Sequence, residues 1–184
     1  MQKIDTYLIK WYGPFASKEE VKGWIDQRQN VVFNLYVFQA KRKGIKDKYY
    51  CGLAFEQTVG KRMKNGNHHI HEFEDSKTKL QIWIGSIANI KAKDTDVRVC
   101  ENLITSELAF LGVGEKNLKN ETNKQPPINN VYIINEWWKK NEEEIKRRAK
   151  GSVPDVVPEV MEYYTETKAL YGTMRLKHLG DLMK

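Results

Sequence analysis

The sequence predicts an α+β fold: a small central antiparallel sheet of about three strands flanked by helices, with a strand-helix extension in front and a helix-hairpin extension behind. Three observations predict it. Residues 31–40 and 49–55 alternate as strands around a basic turn, residues 79–90 form a third apolar run, and residues 94–111 place Val97, Cys100, Ile104, Leu108 and Leu111 at helical spacing. At 184 residues the chain is long enough to bury a core without disulfides or metal. It divides into an N-terminal extension (1–30), a core (31–127) and a C-terminal extension (128–184), packed as one domain.

Residues 4–12 alternate as a strand that Gly13-Pro14 ends. Ser17 with Glu20 three places on forms a capping box, opening a helix to about residue 28 with Val21, Trp24 and Ile25 apolar. In the following hairpin, Asn34, Tyr36 and Phe38 fall on one face and Phe33, Leu35 and Val37 on the other. Its turn covers residues 41–48 and contains Gly44, and Tyr36 and Tyr50 can share a face. Residues 55–64 make a short helix stopped by Asn65-Gly66, with Arg62 near its end.

The third strand carries Leu80, Ile82 and Ile84 on one face and Trp83 and Ile87 on the other, the pattern of a well-covered strand. Asp94 or Thr95 caps the next helix, where Glu101 flanks the buried stripe. Residues 112–127 form a polar loop holding Asn117, Asn120 and Asn123. Residues 135–150 read as a helix ending at Gly151, docked by Trp138, Ile145 and Ala149. Its pairs Glu142 and Lys146, Glu143 and Arg147, and Glu144 and Arg148 neutralise one another. After Pro154 and Pro158, Tyr163, Tyr164, Tyr171 and Thr173 belong to a terminal hairpin, whose strand continues to Arg175, Lys177 and His178.

Cys51 and Cys100 fit neither a disulfide framework nor a zinc spacing, which favours a cytoplasmic or otherwise intracellular location. No run has the apolar length of a membrane span, and residues 1–13 lack the apolar core of a signal peptide. A formal net charge of +7 favours an anionic partner. Lys41, Arg42, Lys43, Lys46, Lys48, Lys61 and Lys64 are the candidate nucleic-acid contacts.

The triplets Asn34-Leu35-Tyr36 and Tyr50-Cys51-Gly52 are followed by Arg62 and by His68, His69 and His71. Further on comes Cys100-Glu101-Asn102-Leu103-Ile104. In this order, over residues 31–123, these features resemble the signature triplets, arginine and glutamate helix of the GIY-YIG nuclease family. The resemblance implies a GIY-YIG-like core and a metal-dependent endonuclease acting on DNA. Tyr36 would orient or deprotonate the attacking water beside Tyr50, and Arg62 would grip the scissile phosphate. His68, or else His69, would take up the proton, with Asn120 the best match for a supporting asparagine. Glu101 would bind one Mg²⁺ or Mn²⁺ per active site. Sequence specificity would come from the extensions or from a homodimer. The competing readings are a non-catalytic DNA-binding module with a degenerate site, an RNA-directed nuclease, and a zinc protein built on the histidine cluster.

Overall fold

The computed structural model describes residues 3–28, 31–54, 59–64, 70, 73, 78–109, 118, 126–140 and 157–173. Its elements are β1 (Ile4–Phe15), α1 (Lys18–Asp26), β2 (Leu35–Arg42), β3 (Ile45–Leu53), α2 (Val59–Lys64), β4 (Lys79–Ile87), α3 (Asp94–Glu107), β5 (Asn130–Trp138), β6 (Val160–Tyr164) and β7 (Ala169–Thr173). The strands join in one sheet of seven, ordered β3-β2-β4-β1-β5-β6-β7. Neighbours are antiparallel except β1 and β5, which run parallel. The fold is thus a curled, mixed half-barrel with few helices, which corrects the small three-stranded, helix-flanked sheet expected from the sequence.

The three strands read from the sequence are present and adjacent, as β3-β2-β4. What differs is the remainder. The N-terminal strand was expected as part of an extension but lies between β4 and β5, at the middle of the sheet. It runs through Gly13-Pro14 to Phe15, and its pairing with β4 shifts register between Tyr12 and Phe15. That irregularity accommodates residues that a regular ladder excludes. Residues 135–138 belong to strand β5, not a helix. Val131, Ile133, Asn135 and Trp137 are buried in two-residue alternation, and β-branched residues fill the start of the strand. The charged stretch at 141–150, with the three ion pairs expected in it, lies outside the described residues, as do Arg175, Lys177 and His178.

Side-chain alternation divides the core between the two faces of the sheet. Leu35, Val37, Cys51 and Trp83 pack with Val97, Cys100, Leu103 and Ile104 of α3. Tyr36, Phe38, Tyr50, Ile82 and Ile84 pack on the other face with α1 and α2 residues Val21, Ile25, Val59 and Met63. Phe33 joins this second group rather than the side of Leu35, because residues 31–34 precede the strand and do not follow its alternation. The hairpin turn is also tighter than expected. Strands β2 and β3 run on to Arg42 and Ile45, leaving Lys43 and Gly44 at the turn, with Gly44 at φ 79°.

Helix α1 starts as its sequence dictates: Ser17 Oγ accepts the Glu20 N–H at 3.2 Å, and the Glu20 carboxylate accepts the Ala16 N–H at 2.7 Å. Helix α3 is capped one residue earlier than predicted, at Lys93, whose N–H donates to Asp96 Oδ2 at 2.8 Å. No described helix is long and apolar enough to cross a membrane.

At the far end of α3, Glu107 is 2% exposed. Its side chain lies against Pro158 and Gly172, where a Cβ at position 172 would overlap Glu107 Oε1. Glu107 Oε2 has no hydrogen-bond partner among the described residues. Burial pushes this carboxyl from its ordinary 4.5 up to about 7. Between those values the folded chain keeps a proton that the unfolded chain has lost, so stability is greatest below the window and falls as the pH rises through it. Glu107→Gln should remove that part of the loss and raise stability at about pH 8 by roughly 1–3 kcal/mol relative to the native chain, with little change at about pH 4. Urea denaturation at the two pH values checks this, and an equal effect at both would contradict it.

Candidate active site at the β3 edge

Tyr36 on β2 is paired across the ladder with Gly52 on β3. Because residue 52 has no side chain, the Tyr36 ring lies across β3, occupying the space where a Cβ would meet its Cζ and hydroxyl. Tyr50, two residues from Gly52, falls on the same face, with the two rings 6.0 Å apart and 30° between their planes. Phe38 stacks on both, at 5.0 Å from Tyr36 and 5.8 Å from Tyr50. Three stacked rings and one missing Cβ therefore carry the Tyr36 hydroxyl out from an inner strand, into hydrogen-bonding contact with Tyr50 and with the Arg62 guanidinium from α2.

Strand β3 is the edge of the sheet, so side chains from both faces can meet around it. Cys51 and Cys100 are both buried in the core between β3 and α3, and each is followed or preceded by a residue of the site. Tyr50 precedes Cys51 and Glu101 follows Cys100, which brings the Glu101 carboxyl within electrostatic range of Tyr50 and Arg62. Four residues expected to act together, Tyr36, Tyr50, Arg62 and Glu101, are in this way gathered from β2, β3, α2 and α3.

Burial raises the Tyr36 hydroxyl pKa, with Tyr50 adding to the shift and Arg62 opposing it. Tyr50 is raised chiefly by burial and then by Glu101, against the Tyr36 hydrogen bond and Arg62. Both phenols consequently stay protonated at neutral pH in the free protein. Burial also lifts Glu101 to about 7, while Arg98 and Arg62 pull it down. Arg62 Nε is buried without a hydrogen-bond partner among the described residues. An unmet donor of this kind suits an oxyanion.

Access differs among the four. Tyr36 is fully covered and Tyr50 is 8% exposed, whereas Arg62 and Glu101 are half-buried. A ligand approaching the edge of β3 meets Arg62 and Glu101, with Tyr50 at the rim and Tyr36 behind it. A single half-buried carboxylate is compatible in its chemistry with one hydrated divalent ion, since Mg²⁺ is commonly held by one or two carboxylates with waters, without an all-protein cage. Glu101 is the residue that would hold it. Among the described residues there is no group of three or more His, Cys, Asp or Glu arranged for a metal ion.

Of the expected nucleic-acid contacts, Arg42, Lys43, Lys46, Lys48 and Lys61 are exposed and Lys41 is half-buried. Alternation along β3 puts Lys48 on the face of Tyr50, while the register shift opposite Ala40 and Arg42 separates Lys46 from that alternation. His68, His69, His71, Asn117, Asn120 and Asn123 lie outside the described residues, as does the side chain of Lys64. Two contributors were not singled out from the sequence. Arg98 sits three residues before Glu101 and is paired to Asp94 at 2.7 Å, a helical spacing that could have identified it. Gly52 was read as part of a motif, but its role as the gap for Tyr36 follows from a cross-strand register that the sequence does not display.

A scan against protein-family models matched none, and searches of curated proteins and of solved structures returned no match.

Gly52→Ala should destabilise the fold by about 1–3 kcal/mol, through overpacking against the Tyr36 ring. In a Tyr36→Leu background, where the phenol is withdrawn, the same substitution should be much less damaging. A double-mutant cycle by chemical denaturation measures the coupling, and an equal loss in both backgrounds would mean that the ring does not occupy that space.

Proposed function

We propose that this chain is a metal-dependent endonuclease that hydrolyses DNA phosphodiester bonds at the edge of β3. The observation that carries the reading is the convergence of two phenols, a guanidinium whose Nε has no partner among the described residues, and a carboxylate, at an edge flanked by exposed basic residues. The order of these residues along the chain is the one that resembles the GIY-YIG nucleases.

Phosphodiester hydrolysis needs an oriented water, positive charge around the pentavalent phosphorus and help for the leaving oxygen. Arg62 binds the non-bridging phosphate oxygens, with Nε as one of its donors. Tyr50 at the rim contacts the attacking water, and Tyr36 fixes the Tyr50 hydroxyl from behind as a positioning residue. With both phenols protonated, their part is to orient the water, and its proton goes to His68 or His69 on the strength of the resemblance. Glu101 would hold a divalent ion, Mg²⁺ or Mn²⁺, which would supply Lewis-acid polarisation of the phosphate and charge for the leaving oxygen. Lys46 and Lys48, both exposed on β3, extend positive charge from the site along the hairpin, giving the DNA backbone a path away from the cleavage point.

Cleavage of supercoiled plasmid and of matched linear DNA and RNA, with and without Mg²⁺ or Mn²⁺, tests this reading. Glu101→Ala and Arg62→Ala should each lower the metal-dependent rate by about 100-fold or more. Tyr50→Phe should lose more than Tyr36→Phe, because only the first removes a group that meets the water. Lys46→Glu with Lys48→Glu should weaken DNA binding and flatten its salt dependence. DNA binding without metal-dependent cleavage would replace the proposal with a binding module, and cleavage confined to RNA would replace the substrate.

A further inference from the structure

At the other end of the sheet, Tyr132, Glu162 and Tyr171 are successive cross-strand partners on β5, β6 and β7. Alternation turns them away from Val131, Ile133, Met161 and Tyr163, which pack in the core with α3. A cleft of about 420 Å³ opens beside them, lined by Asn130, Glu162, Tyr164, Glu166, Thr167 and Tyr171. That volume lies in the range of small-molecule sites, about 300–1,000 Å³.

The lining is ordered by its own hydrogen bonds. Tyr132 and Tyr164 hydroxyls are 2.9 Å apart, and the Tyr164 hydroxyl donates to Glu162 Oε2 at 2.8 Å. Since Tyr164 gives its proton to the carboxylate, Tyr132 is the donor to Tyr164, and the relay fixes one oxygen of Glu162. A carboxylate has about four acceptor positions, so capacity for further donors remains. Asn130 Oδ1 accepts the Thr165 N–H at 2.9 Å and the Thr165 hydroxyl at 3.0 Å, holding the β6–β7 turn against the start of β5. Tyr164 sits edge-to-face with Tyr132 at 6.1 Å and with Tyr171 at 5.9 Å, so rings of different orientation border one space.

Among the described residues the lining contains two carboxylates and no cationic side chain, on a chain whose net charge is +7. Two carboxylates in the lining disfavour a phosphate or other anion. Aromatic faces combined with carboxylates attract organic cations, whose charge interacts with the ring quadrupole and whose N–H groups meet the carboxylate oxygens. The size of the cleft favours a small molecule over a flat protein surface. We propose that this cleft binds a small aliphatic polyamine, with its ammonium groups against Glu162 and Glu166 and its methylenes against Tyr164 and Tyr171. The site is at the opposite edge of the sheet from the Tyr36 cluster, and its ligand does not depend on what that cluster does.

Calorimetric titration of the full chain, freed of nucleic acid, with spermidine at about 0.15 M salt tests the site. Saturable binding of one equivalent is expected. Tyr171→Ala, at a residue 57% exposed, should weaken it about tenfold or more. Tyr171→Phe, which keeps the ring, should retain it, and Glu162→Gln with Glu166→Gln should abolish it. Thermal denaturation confirms that each variant folds. Absence of saturable binding, binding unchanged in the Tyr171→Ala and double-glutamine variants, or equal displacement by sodium ions would overturn the proposal. So would binding of a lysine-rich peptide without binding of spermidine, which would instead make the cleft a protein-docking surface.

Discussion

The parallel junction between β1 and β5 is the constraint on which the rest of the sheet depends. It joins the antiparallel set β3-β2-β4-β1 to the antiparallel set β5-β6-β7, and residues 16–129 lie between its two strands in the chain. A parallel pair cannot be made by a tight turn and requires a long crossover, here most of the molecule. The Trp11 indole N–H donates to Asn135 Oδ1 at 2.7 Å inside the core, and Trp11 stacks on Trp137 at 5.5 Å. Asn135 Nδ2 donates in turn to the Pro158 carbonyl at 2.8 Å, tying the entry of β6 to the same point. One buried asparagine thus fixes three segments, and loss of its side chain would leave a buried indole donor and a carbonyl unmet, each a penalty of about 1–3 kcal/mol.

With β1 in the middle, β3 is the last strand of the sheet, met on its outer side by a single bridge from Tyr49 to Leu118, and that position gives the candidate site its form. Its side chains come from both faces of the sheet, Arg62 from the α2 side and Glu101 from the α3 side, and they meet around the edge strand. Glycine at position 52 lets a phenol anchored on the inner strand reach them. The same burial that positions the phenols also holds them protonated, so the arrangement supports orientation and charge stabilisation more than proton abstraction by tyrosine. At the opposite edge, rings and carboxylates face outward, and among the described residues no cation lines their cleft.

Local features were legible in the sequence where a short-range rule dictates them. Ser17 and Glu20 cap α1, the apolar residues at 97, 100, 104 and 108 line the buried side of α3, and the two-faced pattern of residues 80–87 belongs to an inner strand. Tyr36 and Tyr50 were expected on one face and are there. The architecture was not legible, because which strands become neighbours across more than a hundred intervening residues is not a local property. Residues 130–138 show the difficulty. Tryptophans followed by a charged stretch resemble a helix start, and only pairing with β1 reveals that Asn135 and Trp137 face the core as strand residues. The tyrosine cleft escaped for the same reason, since Tyr132 and Tyr171 become neighbours of Glu162 only through register.

The candidate site depends on the Tyr36 hydroxyl reaching Tyr50 and Arg62, and ring ¹³Cζ NMR of the tyrosines, titrated in the native chain and in Arg62→Gln, tests that most directly. The arrangement predicts that the Tyr36 and Tyr50 signals remain those of protonated phenols beyond the ordinary value of 10.0, and that Arg62→Gln moves the Tyr36 signal at neutral pH. Titration of either ring at or below that value, or a Tyr36 signal unmoved by the substitution, would contradict it.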